Sequence, residues 1–214
     1  IILSSPFNKN YCLEKNKYRS ATYIPCSLNL ERFTMKTNRL HQPPILGWTG
    51  TFSSKPYLDT LKPLFYELKN HIDFRLVFIT NFDYELPDLN LEVIEWSEKN
   101  EINDLHKIDI GLYPLTKSPW SLGKGGLKTL QYMAAGIPTI STDFGTVKDF
   151  IVHKKNGFLV NSRSDWINAI MEILHNDDLR TKIVLSARQT VEERYSVSAN
   201  KIKYLNILEN LIGS

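Results

Sequence analysis

The stretch with the richest chemistry is Leu122-Gly123-Lys124-Gly125-Gly126-Leu127-Lys128-Thr129-Leu130-Gln131-Tyr132-Met133-Ala134-Ala135-Gly136. Three glycines around Lys124 open a helical pattern, and Lys124, Lys128 and Gln131 fall at i, i+4 and i+7, on one face of the helix. Leu127, Leu130 and Ala134 are then free to face a core. Cations at a helix N-terminus oppose the macrodipole, a cost of a few tenths to ~1 kcal/mol that a bound phosphate would reverse. A basic, glycine-rich helix start therefore suits a diphosphate site. The competing reading is a pair of solvated surface lysines.

A second candidate follows an apolar run: Ile45-Leu46-Gly47-Trp48-Thr49-Gly50-Thr51-Phe52-Ser53-Ser54-Lys55. A strand that ends in glycine and small hydroxyl residues exposes main-chain N–H groups at the carboxyl edge of a sheet. Gly50 lets an anion approach the backbone, with Thr51, Ser53, Ser54 and Lys55 as further donors. The pattern satisfies neither GxGxxG nor a P-loop, so a tight turn without a ligand is the alternative. The loop Pro114–Ser121 runs from a strand into the basic helix, which offers Trp120 and Ser121 as pocket residues unless Trp120 is an ordinary packed aromatic. Trp96-Ser97 also ends a strand and could stack and hydrogen-bond a nucleobase, or could be core.

Other chemistries find no support. The five histidines, His41, His71, His106, His153 and His175, are scattered without HExxH or a Cys/His cluster, so no metal site is expected. There is no GxSxG elbow. Asp143 is a lone carboxylate, and Asn156-Gly157 reads as a turn.

The elements that must position these residues alternate. Strand-like runs lie at Ala21–Pro25, Ile45–Thr49, Phe74–Thr80, Leu91–Trp96, Ile108–Tyr113, Thr139–Ser141 and Gly157–Val160, most of them continuously apolar as in strands buried on both faces. Between them, helical spacing appears over Tyr57–Asn70, with Leu58, Leu61, Leu64, Phe65 and Leu68 on one face. It recurs over Lys128–Ala135 and Trp166–Leu174. Such alternation predicts an α/β fold with a Rossmann-like, doubly wound parallel sheet. Pro6, Asn8, Asn10 and Asn16 interrupt any long pattern at the start, and His41-Gln42-Pro43-Pro44 reads as an extended connector. The expected division is a linker and remnant of another domain at 1–42, a Rossmann-like α/β unit at 43–194, and a terminal helix at 195–214 capped by Ser196 or Ser198.

The balance of 26 Lys+Arg against 23 Asp+Glu gives a net +3, too small and too scattered to argue for nucleic acid. Two cysteines, Cys12 and Cys26, suit a reduced, cytoplasmic protein better than a disulfide scaffold. No apolar run approaches the ~20 residues of a membrane span. The opening Ile1-Ile2-Leu3-Ser4-Ser5-Pro6 has no initiator Met and no signal pattern, so the expectation is a piece of a longer protein.

Taken in order, the segments resemble the C-terminal, donor-binding domain of the GT-B glycosyltransferases of the retaining group 1 (family 4-like) type. Gly47-Trp48-Thr49-Gly50 is similar to the "GWxG" turn, Asp109–Leu115 to "DIGLxPL", Gly123–Pro138 to the signature helix and Asn156–Val160 to "NGFLV". Tyr195-Ser196 before a terminal helix fits as well, and Ile24–Phe33 resembles the interdomain "IPxxVDLERF". The resemblance implies a glycosyltransferase that binds a nucleotide-diphospho-sugar such as a UDP- or GDP-sugar and transfers the sugar with retention, without a metal or other cofactor, in polysaccharide or glycolipid biosynthesis.

On that resemblance Gly50, Thr51 and Lys55 hold the pyrophosphate, while Lys124, Gly125 and Gly126 meet the phosphates and sugar. Lys124 and Lys128 neutralise the leaving group, Ser121 lines the pocket, Trp96-Ser97 receives the base and Gln131 touches the ribose. Gly123 and Gln131 stand where many members carry a pair of glutamates, and Thr51 where many carry arginine. These departures motivate an alternative, a catalytically inactive GT-B-like module with a structural or partner-binding role. The implied partners are the sugar donor, a saccharide or lipid-linked acceptor and an N-terminal GT-B domain, without which negligible transferase activity is expected. Localisation at the inner face of the membrane by peripheral contact is compatible with the mild basicity.

Overall fold

The computed structural model describes residues 1–15, 20–37 and 39–212. Asn16, one of the expected helix interrupters, lies outside them. In chain order come β1 (Ile2–Leu3), α1 (Pro6–Lys15), β2 (Thr22–Tyr23), β3 (Ile45–Thr49), α2 (Lys55–Asp59), α3 (Lys62–Leu68), β4 (Arg75–Thr80) and β5 (Leu91–Glu95). These are followed by α4 (Glu101–Leu105), β6 (Ile110–Tyr113), α5 (Pro119–Leu122), α6 (Leu127–Ala134), β7 (Thr139–Thr142) and β8 (Phe158–Val160). Three helices, α7 (Arg163–His175), α8 (Asp177–Arg194) and α9 (Val197–Ile212), close the chain.

Six of these strands form one sheet in the order β5-β4-β3-β6-β7-β8, every pair parallel. The order reverses between β3 and β6, the kind of crevice in which doubly wound sheets bind ligands. One core layer packs Leu58, Leu61, Leu64, Phe65 and Leu68 with Trp166, Ile170 and Ile173 on one face of the sheet. The other packs Leu105, Leu130, Met133, Ala187 and Val191 against the opposite face. Burial on both faces holds for β3, whose five residues are all buried, but not for β5. An edge strand, β5 has no fully buried residue and carries Glu92 and Glu95 among its exposed positions, which discourages pairing with another chain.

Several local expectations are corrected. The run at Ala21–Pro25 does not join the main sheet; β2 pairs with β1 in a separate two-stranded sheet. Pro6, Asn8 and Asn10 do not prevent a helix. Pro6 starts α1, where its missing N–H costs nothing. The helix expected over Tyr57–Asn70 is two helices, because Pro63 cannot donate to the Asp59 carbonyl and restarts the chain at the first turn of α3. All five of its apolar residues stay buried across the break. Helix α7 begins in a capping box, Ser162 Oγ accepting from the Asp165 N–H and the Asp165 carboxylate accepting from the Ser162 N–H. Of the two serines offered as the cap of α9, Ser196 takes the role, its Oγ accepting from the Ala199 N–H at 3.0 Å.

Candidate functional site

At the sheet's switch point lies an open cavity of about 210 Å³. One wall is the end of β3 and the turn after it, Trp48, Thr49, Gly50 and Thr51. Another is the end of β6, Tyr113, with Pro114 and Leu115. The third is the start of α6, with Lys124, Gly125, Gly126 and Lys128. Six residues singled out from the sequence as site residues, Gly50, Thr51, Lys124, Gly125, Gly126 and Lys128, thus border one space.

The way they meet differs from the expected helical face. Lys124 is not in the helix: α6 starts at Leu127, and Gly126 ahead of it adopts φ +72°, a left-handed conformation that glycine takes without strain. That turn separates Lys124 from the helix, where it meets the Tyr57 ring, while Lys128 lies in the first turn of α6 near Glu101, and both line the cavity. Leu127, expected in the core, is exposed because it too sits at the mouth, whereas Leu130 and Ala134 are fully buried. The first turn of α6 has neither a side-chain cap nor an acidic residue, so its N–H groups and positive dipole end border the cavity uncompensated by side chains.

Lys124 stacks its ammonium over the Tyr57 ring, 5.1 Å from the centroid. Burial lowers the pKa of both Lys124 and Lys128 from the ordinary lysine value; for Lys128 the Glu101 carboxylate works against it. The Gly50 N–H is engaged by the Ile79 carbonyl at 3.1 Å, so this residue's part in the wall is shape. A Cβ there would lie 2.4 Å from the Trp48 ring. Behind the wall, the fully buried Tyr132 accepts a hydrogen bond from the Thr49 N–H at 2.7 Å, and burial raises its pKa strongly.

Other candidates lie outside this cavity. Lys55 pairs with Asp59 at 3.2 Å and sits over the Tyr84 ring. Ser121 is fully buried and donates to the Tyr57 hydroxyl at 3.2 Å, supporting the wall from behind. Trp120 is 74% exposed and lines a neighbouring groove with Phe7 and Tyr11 that shares Lys124 with the cavity. Trp96 is 44% exposed, neither core nor in the cavity, and the Ser97 hydroxyl accepts from the Asn100 N–H. Gln131 is buried and turns its amide to Glu101, Nε2 to Oε1 at 2.9 Å. Tyr57 and Glu101 escaped the sequence reading: each lies far along the chain from the glycine-rich segment, and no local spacing ties them to it, whereas Tyr113 ends the strand that leads into the loop before that segment. Among the described residues, no group of three or more His, Cys, Asp or Glu could hold a metal ion.

The sequence model of the family described as "Glycosyl transferases group 1" matches residues 31–190. Over 89 residues, 40% of this chain, the sequence is 29% identical to a poly(ribitol-phosphate) alpha-N-acetylglucosaminyltransferase of Staphylococcus aureus strain COL, of which it spans 18%. Among solved structures, a glycosyltransferase from Rickettsia africae superposes with a TM-score of 0.78 at 19% identity, covering 99% of this chain and 63% of the other. The Anabaena protein HepE, solved with UDP-glucose, gives a TM-score of 0.71 at 12% identity, covering 98% and 63%. At such identities the structures establish a shared fold.

Proposed function

The chain belongs to the group 1 glycosyl transferases, and on that footing we propose that its cavity holds the diphosphate of a nucleotide-sugar donor for retaining, metal-independent glycosyl transfer. The observation that carries this reading is that Lys124, Lys128 and the side-chain-uncapped start of α6 all line one cavity at the sheet's switch point. As the bond from sugar carbon to phosphate oxygen breaks, negative charge accumulates on the departing diphosphate. Partly desolvated cations and helix N–H groups fixed beforehand stabilise that charge with little reorganisation. The Gly50–Thr51 turn sets how closely a phosphate approaches, and Gly125 and Gly126 keep the opposite wall free of side chains. The nucleoside would extend toward Trp96, Ser97 and Gln131, beyond the cavity. Ser121 serves this site indirectly, through Tyr57.

HepE was solved with UDP-glucose in the same fold, which favours a UDP-sugar as the first donor to try. A saccharide or lipid-linked acceptor, an N-terminal domain completing the cleft and a role in polysaccharide or glycolipid biosynthesis belong to the same proposal. No helix among the described residues is long and apolar enough to cross a membrane, and we place the protein in the cytoplasm, with any membrane contact peripheral.

Calorimetric titration with UDP, GDP and UDP-glucose tests the reading. Binding is expected, with Lys124→Ala and Lys128→Ala each weakening it about tenfold or more, the worth of one charge-assisted hydrogen bond. Absence of binding to every nucleotide by the folded chain would overturn it in favour of an inactive structural module.

A further inference from the structure

Glu101, the first residue of α4, has a side chain only 12% exposed, yet one of its carboxylate oxygens gathers donors from two other elements. Oε1 accepts from the Trp96 indole Nε1 at 3.1 Å, just beyond β5, and from Gln131 Nε2 at 2.9 Å, on α6. The Lys128 ammonium lies 3.8 Å from the same oxygen. Lys128 and Gln131 are three residues apart on α6, so this carboxylate spans one turn of the helix whose start borders the cavity.

We infer that Glu101 is a positioning residue of the proposed donor site: clamped by Trp96 and Gln131, its carboxylate holds the Lys128 ammonium at the cavity mouth. The inference rests on the diphosphate reading for its purpose, though not for its geometry. Burying a cation in an anion site raises a conflict. Desolvation favours the neutral amine, which would hold no phosphate, while a carboxylate in full contact would neutralise the cation. A carboxylate fixed at 3.8 Å by two other donors resolves the conflict, since it is close enough to favour the ammonium and too far to replace the ligand. Three further titratable groups line the cavity with Lys128: Lys124 from the loop, Tyr57 from α2 and Tyr113 from β6. Lys124 has a like charge, and burial keeps the Tyr113 phenol neutral well beyond its ordinary range, so among the described residues Glu101 is the anion that faces Lys128.

The test uses Glu101→Gln, which keeps an oxygen acceptor for Trp96 and Gln131 and removes the charge, with Glu101→Asp as the charge-retaining comparison. The Lys128 side chain is followed by NMR through its alkaline titration, assigned by its loss in Lys128→Arg. The expected result is a midpoint lowered by about half a unit or more in Glu101→Gln, and nearer wild type in Glu101→Asp. With inorganic pyrophosphate as probe, Glu101→Gln should bind at least as well as wild type near neutral pH and lose affinity at a lower pH on the alkaline side. An unchanged or raised midpoint overturns the inference, as does an affinity loss that is uniform across pH, the mark of a purely structural clamp. Failure of the wild type to bind pyrophosphate or any nucleotide, with the midpoint still shifted, would strike the diphosphate reading instead and leave the pairing standing.

Discussion

The Tyr132 hydroxyl takes the Thr49 backbone N–H at 2.7 Å, joining the middle of α6 to the last residue of β3. The two walls of the cavity that carry the glycine turn and the lysines are thereby held in register by one buried bond. Tyr132→Phe keeps the ring against Gly111 but strands a buried donor, an expected loss of about 1–3 kcal/mol in urea unfolding. Affinity for UDP should fall with it, because the Gly50 turn loses its anchor. A variant as stable as wild type would show that the Thr49 N–H finds another acceptor.

Binding should take up protons in mildly alkaline solution. Burial holds Lys124 and Lys128 below the ordinary lysine value, about 10.4. A diphosphate in contact with both raises them again, so between the free and bound values the complex carries more protons than the free protein. Affinity for UDP is therefore expected to rise as pH falls through that window. The same sign governs folding: depressed folded-state values mean the charged lysines cost stability at lower pH, a cost relieved as pH climbs toward the unfolded value. Calorimetry at about pH 9 in two buffers of different ionisation enthalpy reads the uptake directly. Proton release would contradict the assignment of these lysines to the ligand.

Much of this architecture was legible because it is written in short-range pattern. Ile45–Thr49 is apolar up to its final threonine and flanked by prolines and glycine, and it is a central strand over that same span. The apolar face from Leu58 to Leu68 survives even where Pro63 breaks the helix, because burial follows spacing more than helix continuity. The glycine-lysine segment announced a cation-lined turn, but the left-handed Gly126 that separates Lys124 from the helix is a backbone choice that composition does not dictate. Glu101 was illegible for a different reason. Trp96 lies five residues before it, but Gln131 and Lys128 meet it only once α4 and α6 pack on the same face of the sheet, and no chain spacing encodes those contacts. Likewise Trp96 read as core or base platform, whereas its indole N–H is spent on Glu101 and its ring is 44% exposed.

A buried ionic knot ties the segment before β3 to the sheet. The Asp109 carboxylate, wholly shielded, accepts from the Lys36 ammonium, from the His41 N–H at 3.0 Å and from the Ile45 N–H at 2.8 Å, with His41 Nδ1 at 2.9 Å. Asp109→Asn leaves the ammonium without its counter-charge and is expected to cost about 3–5 kcal/mol. Adding Lys36→Met should restore part of that loss, since an apolar replacement removes the stranded charge. Chemical denaturation of the two single variants and the double variant decides it; strict additivity would mean that the pair contributes through separate contacts.

Gly126 makes a sharper demand on the backbone than any other residue of the cavity wall. At φ +72°, an L side chain costs about 1–2 kcal/mol, and a Cβ would also fall 2.7 Å from the Phe150 ring. The two penalties separate by substitution. In Gly126→Ala both act. In Gly126→Ala with Phe150→Leu the backbone cost alone remains, together with the loss that Phe150→Leu shows by itself. Asn tolerates the left-handed region better than Ala, but its larger side chain meets Phe150 harder, so Gly126→Asn should gain more from the Phe150→Leu background than Gly126→Ala does. Because the turn also joins Lys124 to the start of α6, pyrophosphate affinity should drop in every Gly126 variant, including those whose stability is recovered. Recovery of affinity together with stability would show that Lys124 reaches the cavity by another route than this turn.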